Sequence, residues 1–537
     1  MKDYTKVPEY FNIGVAVTDS HLGTPIENRD ALIVEEPGEK PQVCTFKELS
    51  ILSSKFATIL RNLHIGEGFR VLIRLPNSVA YPTTFYGTMK AGAVAVPTST
   101  LLTPKEVGYL ASDSGAKVLV IDKKSWPQFS EELSGNSELE FVFLTGEGPL
   151  PPFKNGIKIF DLSESLDQSF QIAEPVRTKS SDPAYLVYTS GTTGYPKGVL
   201  HAHRALIGRQ PASEFWFHFQ DHDKILHSGK FNWTYVLGTA LMDPMFRGHT
   251  VIAFEGKNDV STWLELIAKY ECTIFIGVPT IYRQILQKTN ATKADVPSLR
   301  YGMCAGEHLT DEVLKEWQTR FKLPIYEGLG MSEFSYYISQ NRYSLIRPGS
   351  AGKIQPGHKV KLVDSDFHEV PPGEEGMIVV SEEDPGLFLE YWRLPEENKS
   401  SRKNGYFLTG DYAKLDEDGY IWFVGRKDDI INTFGYRVSP YEIERVMKSH
   451  PAISECVALG EDIGNSKVLV SLCVLLLPDT QVSESELIAF GKERLAEYKA
   501  PKKVHFFSEF PRTKNGKVLR KELALKIQPA ENNPARG

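Results

Sequence analysis

A chain of 537 residues exceeds what one ordinary hydrophobic core supports, so two or more domains are expected. With 41% hydrophobic and 24% charged residues it has the composition of a water-soluble globular protein, and a net charge of −7 excludes a dedicated nucleic-acid binder, whose domains are basic. No run approaches the ~18 consecutive apolar residues of a membrane span. Met1-Lys2-Asp3-Tyr4 lacks an apolar signal core, and Pro534-Ala535-Arg536-Gly537 carries no peroxisomal or prenylation signal. Cys44, Cys272, Cys304, Cys456 and Cys473 are scattered without a C-x-x-C pair and point to buried thiols in a reducing compartment. The expectation is a cytoplasmic protein with neither a nucleic-acid nor a membrane partner. The oligomeric state stays open, a homodimer included.

In chain order, residues 1–40 suggest an irregular leader draped over the first domain. A helix then opens near Thr45, with Leu49, Leu52, Phe56, Leu60 and Leu63 at the helical period. Val71-Leu72-Ile73 predicts a strand, Tyr81 to Ala91 a helix, and Ala93 to Pro97 a second strand. Thr103-Pro104-Lys105-Glu106 is a capping box with proline at the first helical position. Ala116 to Asp122 returns to strand, and such alternation indicates an α/β sheet. Residues 145–182, rich in Gly, Pro, Ser and charge, suggest connection. Helix is expected at Ser261–Tyr270, strand at Thr273–Val278 and helix at Pro279–Gln287. Beyond about residue 428 the pattern becomes a smaller α+β unit. There Ser439-Pro440-Tyr441-Glu442 is a capping box before Ile443, Val446 and Met447, and Val468–Leu477 is an apolar strand.

Between the apolar runs Tyr185-Leu186-Val187 and Val199-Leu200 lies Tyr188-Thr189-Ser190-Gly191-Thr192-Thr193-Gly194-Tyr195-Pro196-Lys197-Gly198. Small hydroxyl residues and glycine N–H groups can wrap phosphate oxygens, since nothing bulky holds the backbone away from the anion. Lys197 adds a mobile positive charge. A Walker A loop is excluded, because that loop needs Gly-Lys followed by Ser or Thr. The plain alternative is a polar hairpin turn.

The string resembles the phosphate-binding signature of the adenylate-forming superfamily, which comprises acyl- and aryl-CoA synthetases, peptide-synthetase adenylation domains and beetle luciferases. The resemblance implies that Thr189, Ser190, Gly191, Thr192, Thr193, Gly194 and Lys197 bind ATP. Further motifs follow in the family's order. Phe231-Asn232-Trp233-Thr234-Tyr235 lies where the family places an aromatic gate, with Trp233 and Tyr235 at the acyl site. No aspartate stands there for a substrate ammonium, which argues against an α-amino acid. Ala305-Gly306-Glu307 resembles the loop lining the adenine and acyl sites. Glu327-Gly328-Leu329-Gly330-Met331-Ser332-Glu333 resembles the adenine and metal motif. In it Glu333 is the Mg²⁺ carboxylate, with Thr192 as a second metal ligand, and Ser332 contacts the α-phosphate. Leu329 departs from the pattern, since many members stack an aromatic on adenine there.

Tyr406-Phe407-Leu408-Thr409-Gly410-Asp411 places Asp411 on the ribose hydroxyls, and Gly425-Arg426-Lys427-Asp428-Asp429 places Arg426 on ribose or phosphate with Asp428 as the hinge. Gly435-Tyr436-Arg437 resembles the loop lining the pantetheine tunnel. Arg512-Thr513-Lys514-Asn515-Gly516-Lys517 resembles the catalytic-lysine motif, with Lys517 stabilising charge in an in-line transition state.

The resemblance implies a large N-terminal adenylation domain, residues 1–427, of stacked α/β sheets with a β-barrel-like subdomain, and a small mobile α+β C-terminal lid, residues 428–537. It implies a carboxylate–CoA ligase working with ATP, Mg²⁺ and coenzyme A. Trp233, Tyr235, Met303, Met331 and Phe334, with Ala305, Gly306 and Gly330, suggest a compact pocket for short or medium-chain, cyclic or aromatic acids. A stand-alone adenylation enzyme serving a carrier protein, an oxidative luciferase and a non-enzymatic relative are the alternatives. The last would be expected to lose Lys517, Glu333 or Asp411, and all three are present.

Overall fold

The computed structural model describes residues 4, 6–136, 138–151, 156–189, 196–257, 259–307, 309–427, 429–433, 436–463, 468–512 and 518–528. The chain divides into two compact units, Met1–Lys359 with Val380–Phe407, and Val360–Val379 with Leu408–Gly537.

The first unit holds two large sheets. An eight-stranded sheet runs Glu390–Tyr391, Lys197–Ala202, Pro183–Thr189, Val94–Pro97, Arg70–Arg74, Val118–Asp122, Phe141–Thr145, Lys158–Asp161. Its inner strands are parallel and apolar on both faces, as burial between helices requires; Val71 to Ile73 and Val118 to Ile121 are fully buried. Helix Phe46–Asn62 starts on a Thr45/Glu48 capping box, and Pro104–Ser114 on the expected Thr103/Glu106 box. The nine-stranded sheet runs Gln42–Thr45, Asp30–Glu35, Thr250–Phe254, Lys224–His227, Ile274–Gly277, Tyr301–Ala305, Ile325–Met331, Ser335–Ser339, Lys353–Ile354.

Two expectations are corrected. The leader is no loose drape: Asp30–Glu35 pairs in parallel with Thr250–Phe254 inside the nine-stranded sheet, and Ala31 to Val34 are buried. One partner, Gln42–Thr45, follows it directly, but the parallel one lies more than two hundred residues downstream, which no local pattern announces. The connection at 145–182 contains strand Lys158–Asp161 at the far edge of the eight-stranded sheet and helix Leu162–Gln168 capped by Asp161.

In the second unit Val360–Val363, Glu375–Ser381 and Tyr406–Leu415 lie side by side in that order, with Ile421–Arg426 antiparallel to Tyr406–Leu415. The hairpin of Ile431–Thr433 and Tyr436–Val438 follows. A three-stranded sheet of Ile453–Asp462, Val468–Leu476 and Lys503–Phe506 then packs with helices Pro440–Met447, Glu484–Arg494 and Arg520–Ile527. Only half of the capping box at Ser439 forms: its hydroxyl accepts from the Glu442 N–H, while the Glu442 carboxylate takes the Lys499 amine at 2.7 and 2.8 Å. Glu444, not Val446, is buried on that helix.

A buried ion pair braces the first unit. Arg209 donates through Nε to Asp243 Oδ1 at 2.8 Å and through a terminal nitrogen to Oδ2 at 2.5 Å, and also to the Ser335 hydroxyl. Both residues adjoin π-helical turns, Ser213–Phe217 and Leu237–Met242. Removing one partner strands a buried charge, which costs about 3–5 kcal/mol, whereas an apolar pair of similar volume is close to neutral. Asp243→Ala is therefore expected to destabilise the protein by about 3–5 kcal/mol, and Arg209→Met with Asp243→Leu to recover most of that loss, measured by denaturant unfolding.

Three buried histidines set an acid limit. Burial pushes His201 down to about 4 and His203 and His227 down to about 3, from an ordinary 6.5. The unfolded chain then binds protons that the folded chain refuses, so the stabilisation is complete above about pH 6.5 and is lost as pH falls toward 4. Unfolding free energy should drop by about 1.4 kcal/mol per pH unit for each of them in that window. His203→Asn should flatten the slope by one such share.

Candidate active site

Strands Pro183–Thr189 and Lys197–Ala202 are antiparallel neighbours, with Thr189 opposite Lys197 and Tyr188 opposite Gly198. They are the two arms of the glycine- and hydroxyl-rich segment; Ser190, Gly191, Thr192, Thr193 and Gly194 lie outside the described residues. Tyr188 donates its hydroxyl to Asp113 at 2.6 Å, and burial together with that carboxylate pushes the phenol above its ordinary range. The Lys197 amine is paired with Glu397 and sits 5.7 Å from the Tyr391 ring centre.

Strand Ile325–Met331 pairs antiparallel with Ser335–Ser339, so Ser332, Glu333 and Phe334 form the turn between them. Gly328 is required there by space: a Cβ would lie 2.5 Å from Cζ2 of the fully buried Trp216. Glu327 accepts from the Leu309 N–H at 3.2 Å. The turn is tied down on two sides. Neutral His201 donates through Nε2 to the Ser332 carbonyl at 2.8 Å, and Tyr391 donates its hydroxyl to Glu333 Oε1 at 2.8 Å. Phe388 N–H adds a bond to the Glu333 carbonyl at 2.9 Å. Glu333 is thereby a buried, oriented carboxylate, 9% exposed. Tyr391 also lies opposite Val199 in the sheet, which brings this turn beside the Lys197 arm.

The donor chemistry fits Mg²⁺. A carboxylate with hydroxyls is a hard oxygen set, and Mg²⁺ is held by one or two carboxylates plus phosphates and water. Among the described residues no group of three or more His, Cys, Asp or Glu assembles a metal cage, so an ion at Glu333 would draw its remaining oxygens from a bound nucleotide.

Trp233 meets Tyr235 edge-on, with ring centres 5.5 Å apart at 90°, and Tyr235 meets Tyr336 at 5.2 Å. Gly306 has φ +89°, and a Cβ built on it would stand 3.8 Å from the outer carbon of Trp233. Met303 and Ala305 are buried in the same cluster as Tyr235 and Trp216. Gly330 and Met331 are half-buried on the neighbouring strand, as is Leu329, which pairs with Ile338. Glu307 is exposed and accepts from the Thr280 hydroxyl at 2.8 Å. Phe334 does not join this group; its ring packs against Tyr337 and His358.

In the second unit Asp411 is buried opposite Arg426, whose Nε donates to Asp411 Oδ1 at 3.1 Å. The Thr409 hydroxyl accepts from the Asp411 N–H at 3.0 Å and donates to the Ile378 carbonyl, fixing the bend before the aspartate. Arg437 lies opposite Asn432 in the hairpin. Asp428, Gly435 and Lys517 lie outside the described residues; Arg512 and Val518, flanking the last of these, form a bridge.

The sequence reading missed Tyr391 and His201. Both act on the turn through long-range contacts, and a lone tyrosine or histidine in an apolar run carries no local signal of that.

A family model described as AMP-binding enzyme matches residues 23–392, and one described as AMP-binding enzyme C-terminal domain matches residues 442–517. Human acyl-coenzyme A synthetase ACSM3, mitochondrial, is 30% identical over 536 residues, covering 97% of this chain and 90% of its own length. The 3-hydroxybenzoate–CoA/4-hydroxybenzoate–CoA ligase of Thauera aromatica is 31% identical over 492 residues, covering 90% of this chain and 92% of its own. The crystal structure of the anthranilate CoA ligase AuaEII in complex with anthranoyl-AMP matches with a TM-score of 0.86 at 29% identity, covering 98% of this chain and 99% of that one. No helix among the described residues is long and apolar enough to cross a membrane. By its motifs, its fold and these full-length relatives, the chain belongs to the AMP-binding enzyme family, on the acyl- and aryl-CoA ligase branch, as an AMP-forming acid–CoA ligase that uses ATP, Mg²⁺ and coenzyme A.

Proposed function

We propose that the acid is a small ring-containing carboxylate, aromatic or alicyclic, with short and medium-chain acids as the next best fit. The observation that carries this is the aromatic wall of Trp233, Tyr235 and Tyr336 over Gly306, closed behind by Trp216 against Gly328. Edge-on aromatic contacts suit a planar ring and leave a long flexible chain little room. The names of two relatives, a hydroxybenzoate ligase and an anthranilate ligase, support the same class.

The proposed division of labour follows the residues. Thr189, Ser190, Gly191, Thr192, Thr193, Gly194 and Lys197 cradle the phosphates, the last after leaving Glu397. Gly306, Glu307, Glu327, Gly328, Leu329 and Ser332 line the adenosine and α-phosphate. Asp411 accepts both ribose hydroxyls, a task for a fixed carboxylate, with Arg426 beside it. Glu333 and Thr192 would hold Mg²⁺, which when bound neutralises charge on the phosphates. Trp233, Tyr235, Ala305, Gly330 and Met331 seat the acid.

Lys517 draws the carboxylate oxygen onto the α-phosphorus, where a new P–O bond forms as the bond to pyrophosphate breaks. The coenzyme A thiolate then attacks the acyl carbon, and AMP leaves with the electron pair of the broken C–O bond. Gly435 and Arg437 are proposed to line the thiol's approach, and Asp428 to be the hinge at which residues 428–537 reorient between the half-reactions, a gating motion. The free, buried cysteines support a reducing compartment, and the cytoplasm is the proposed location.

The class is tested by AMP release across acetate, butyrate, hexanoate, benzoate and cyclohexanecarboxylate. The highest kcat/KM is expected for the two ring acids, and a monotonic rise with chain length would refute the reading. For the split of roles, Lys517→Ala should slow acyl-adenylate formation on the order of 10²–10³-fold. It should leave conversion of supplied acyl-adenylate to the thioester within a few-fold of wild type. Equal losses in both half-reactions would remove Lys517 from its proposed place.

A further inference from the structure

Behind the Glu333 carboxylate runs a chain of hydrogen bonds carried by one short segment, residues 388–398. The Tyr391 hydroxyl donates to Glu333 Oε1 at 2.8 Å, and the two residues are buried to 7% and 9% exposure. Among the described residues Glu333 Oε2 takes no hydrogen bond, so the tyrosine engages one carboxylate oxygen and leaves the other for a ligand. Tyr391 is itself fixed at both ends of its own backbone. Asn398 Oδ1 accepts from the Tyr391 N–H at 2.7 Å, and Asn398 Nδ2 donates to the Tyr391 carbonyl at 2.8 Å. Phe388 meets the tyrosine ring edge-on, with centres 4.8 Å apart, while its N–H holds the Glu333 carbonyl.

The same segment holds the lysine of the neighbouring arm. Glu397, next to Asn398 on helix Pro395–Ser400, pairs with Lys197. Tyr391 stands opposite Val199 in the sheet, and Lys197, two residues along, shares the face of Val199. Its amine accordingly lies 5.7 Å from the tyrosine ring centre. One tyrosine therefore presents its hydroxyl to the acidic turn and its ring to Lys197. A phenylalanine would supply the same ring packing. What the hydroxyl adds is a charge-assisted hydrogen bond to a carboxylate, which is directional and stronger than a neutral one.

We propose that Tyr391 is a positioning residue for the metal ion. By fixing Oε1 it sets the plane of the Glu333 carboxylate and keeps Oε2 available to the ion, and Asn398 holds the tyrosine in place to do so. Carboxylates that ligate metals are themselves hydrogen-bonded, and loss of such a partner weakens metal binding about 10–100-fold. This inference rests on the reading of Glu333 as the Mg²⁺ carboxylate and extends it to the residues that aim that carboxylate. Tyr391 acts through Glu333.

The test is the Kd of Mn²⁺, whose free ion is counted by electron paramagnetic resonance, on the whole chain saturated with α,β-methylene ATP, which cannot release pyrophosphate. Tyr391→Phe keeps the ring beside Lys197 and removes only the hydroxyl; it should raise that Kd about tenfold. Binding of the analogue in excess chelator should stay close to wild type, which a general loosening of the fold would not permit. Glu333→Gln should raise the Mn²⁺ Kd at least as far, and adding Tyr391→Phe to it should change nothing more. Thermal melting establishes that each variant is folded. Asn398→Ala leaves the hydroxyl and the carboxylate present and should raise the Kd several-fold, and it decides the matter if Tyr391→Phe does not fold. An unchanged Mn²⁺ Kd in folded Tyr391→Phe, or in Asn398→Ala in its place, overturns the inference and leaves the reading of Glu333 intact. So does a double variant whose loss is the product of the two single losses. An unchanged Kd in Glu333→Gln overturns the reading of Glu333 and this inference with it.

Discussion

The hydroxyl of Tyr391 on the carboxylate of Glu333 is the contact on which the arrangement of the first unit rests. A carboxylate buried to this degree needs a polar partner, and the partner it finds is carried on a strand that pairs with the arm holding Lys197. One hydrogen bond thus links the acidic turn to the sheet arm Lys197–Ala202. His201, two residues beyond Val199 on the same arm, makes the complementary tie to the Ser332 carbonyl. Because both partners are seated in a sheet, the turn inherits the sheet's rigidity and is not left to loop dynamics.

The residues proposed to seat the acid are placed by sheet geometry. Strands Lys224–His227, Ile274–Gly277, Tyr301–Ala305 and Ile325–Met331 are parallel neighbours in that order. Their carboxyl ends bring His227, Ala305 and Met331 to one edge, where open α/β sheets bind ligands. The chain leaving the first of these ends turns back into Trp233 and Tyr235, so the aromatic wall stands over the strand ends. Behind it the Arg209–Asp243 pair reaches Ser335, next to Tyr336 of the same wall.

The residues proposed to carry the chemistry fall in both units. The first contains the hairpin arms with Lys197, the acidic turn and the Trp233–Tyr235 aromatic cluster, and the second contains Asp411, Arg426, Gly435 and Lys517. Asp411 and Arg426 are opposed on adjacent strands and paired.

Much of this was legible in the residues alone. The glycine- and hydroxyl-rich string, the acidic motif ending in Glu333 and the Thr103 capping box are contiguous runs whose composition states a local physical need, and helix and strand periods locate the central elements. The strands at Asp30–Glu35 and Lys158–Asp161 were hidden because each is short, and because the parallel partner of the first, Thr250–Phe254, lies far along the chain. The family's chemistry was therefore determined by sequence, since it resides in short motifs. What only the tertiary structure decided is which side chains answer one another across the fold: Tyr391 with Glu333, and His201 with Ser332. Satisfaction of a buried polar group is a property of three-dimensional neighbours, and neither spacing nor period reports it, whether the partners stand 58 residues apart, as Tyr391 and Glu333 do, or 131, as His201 and Ser332 do.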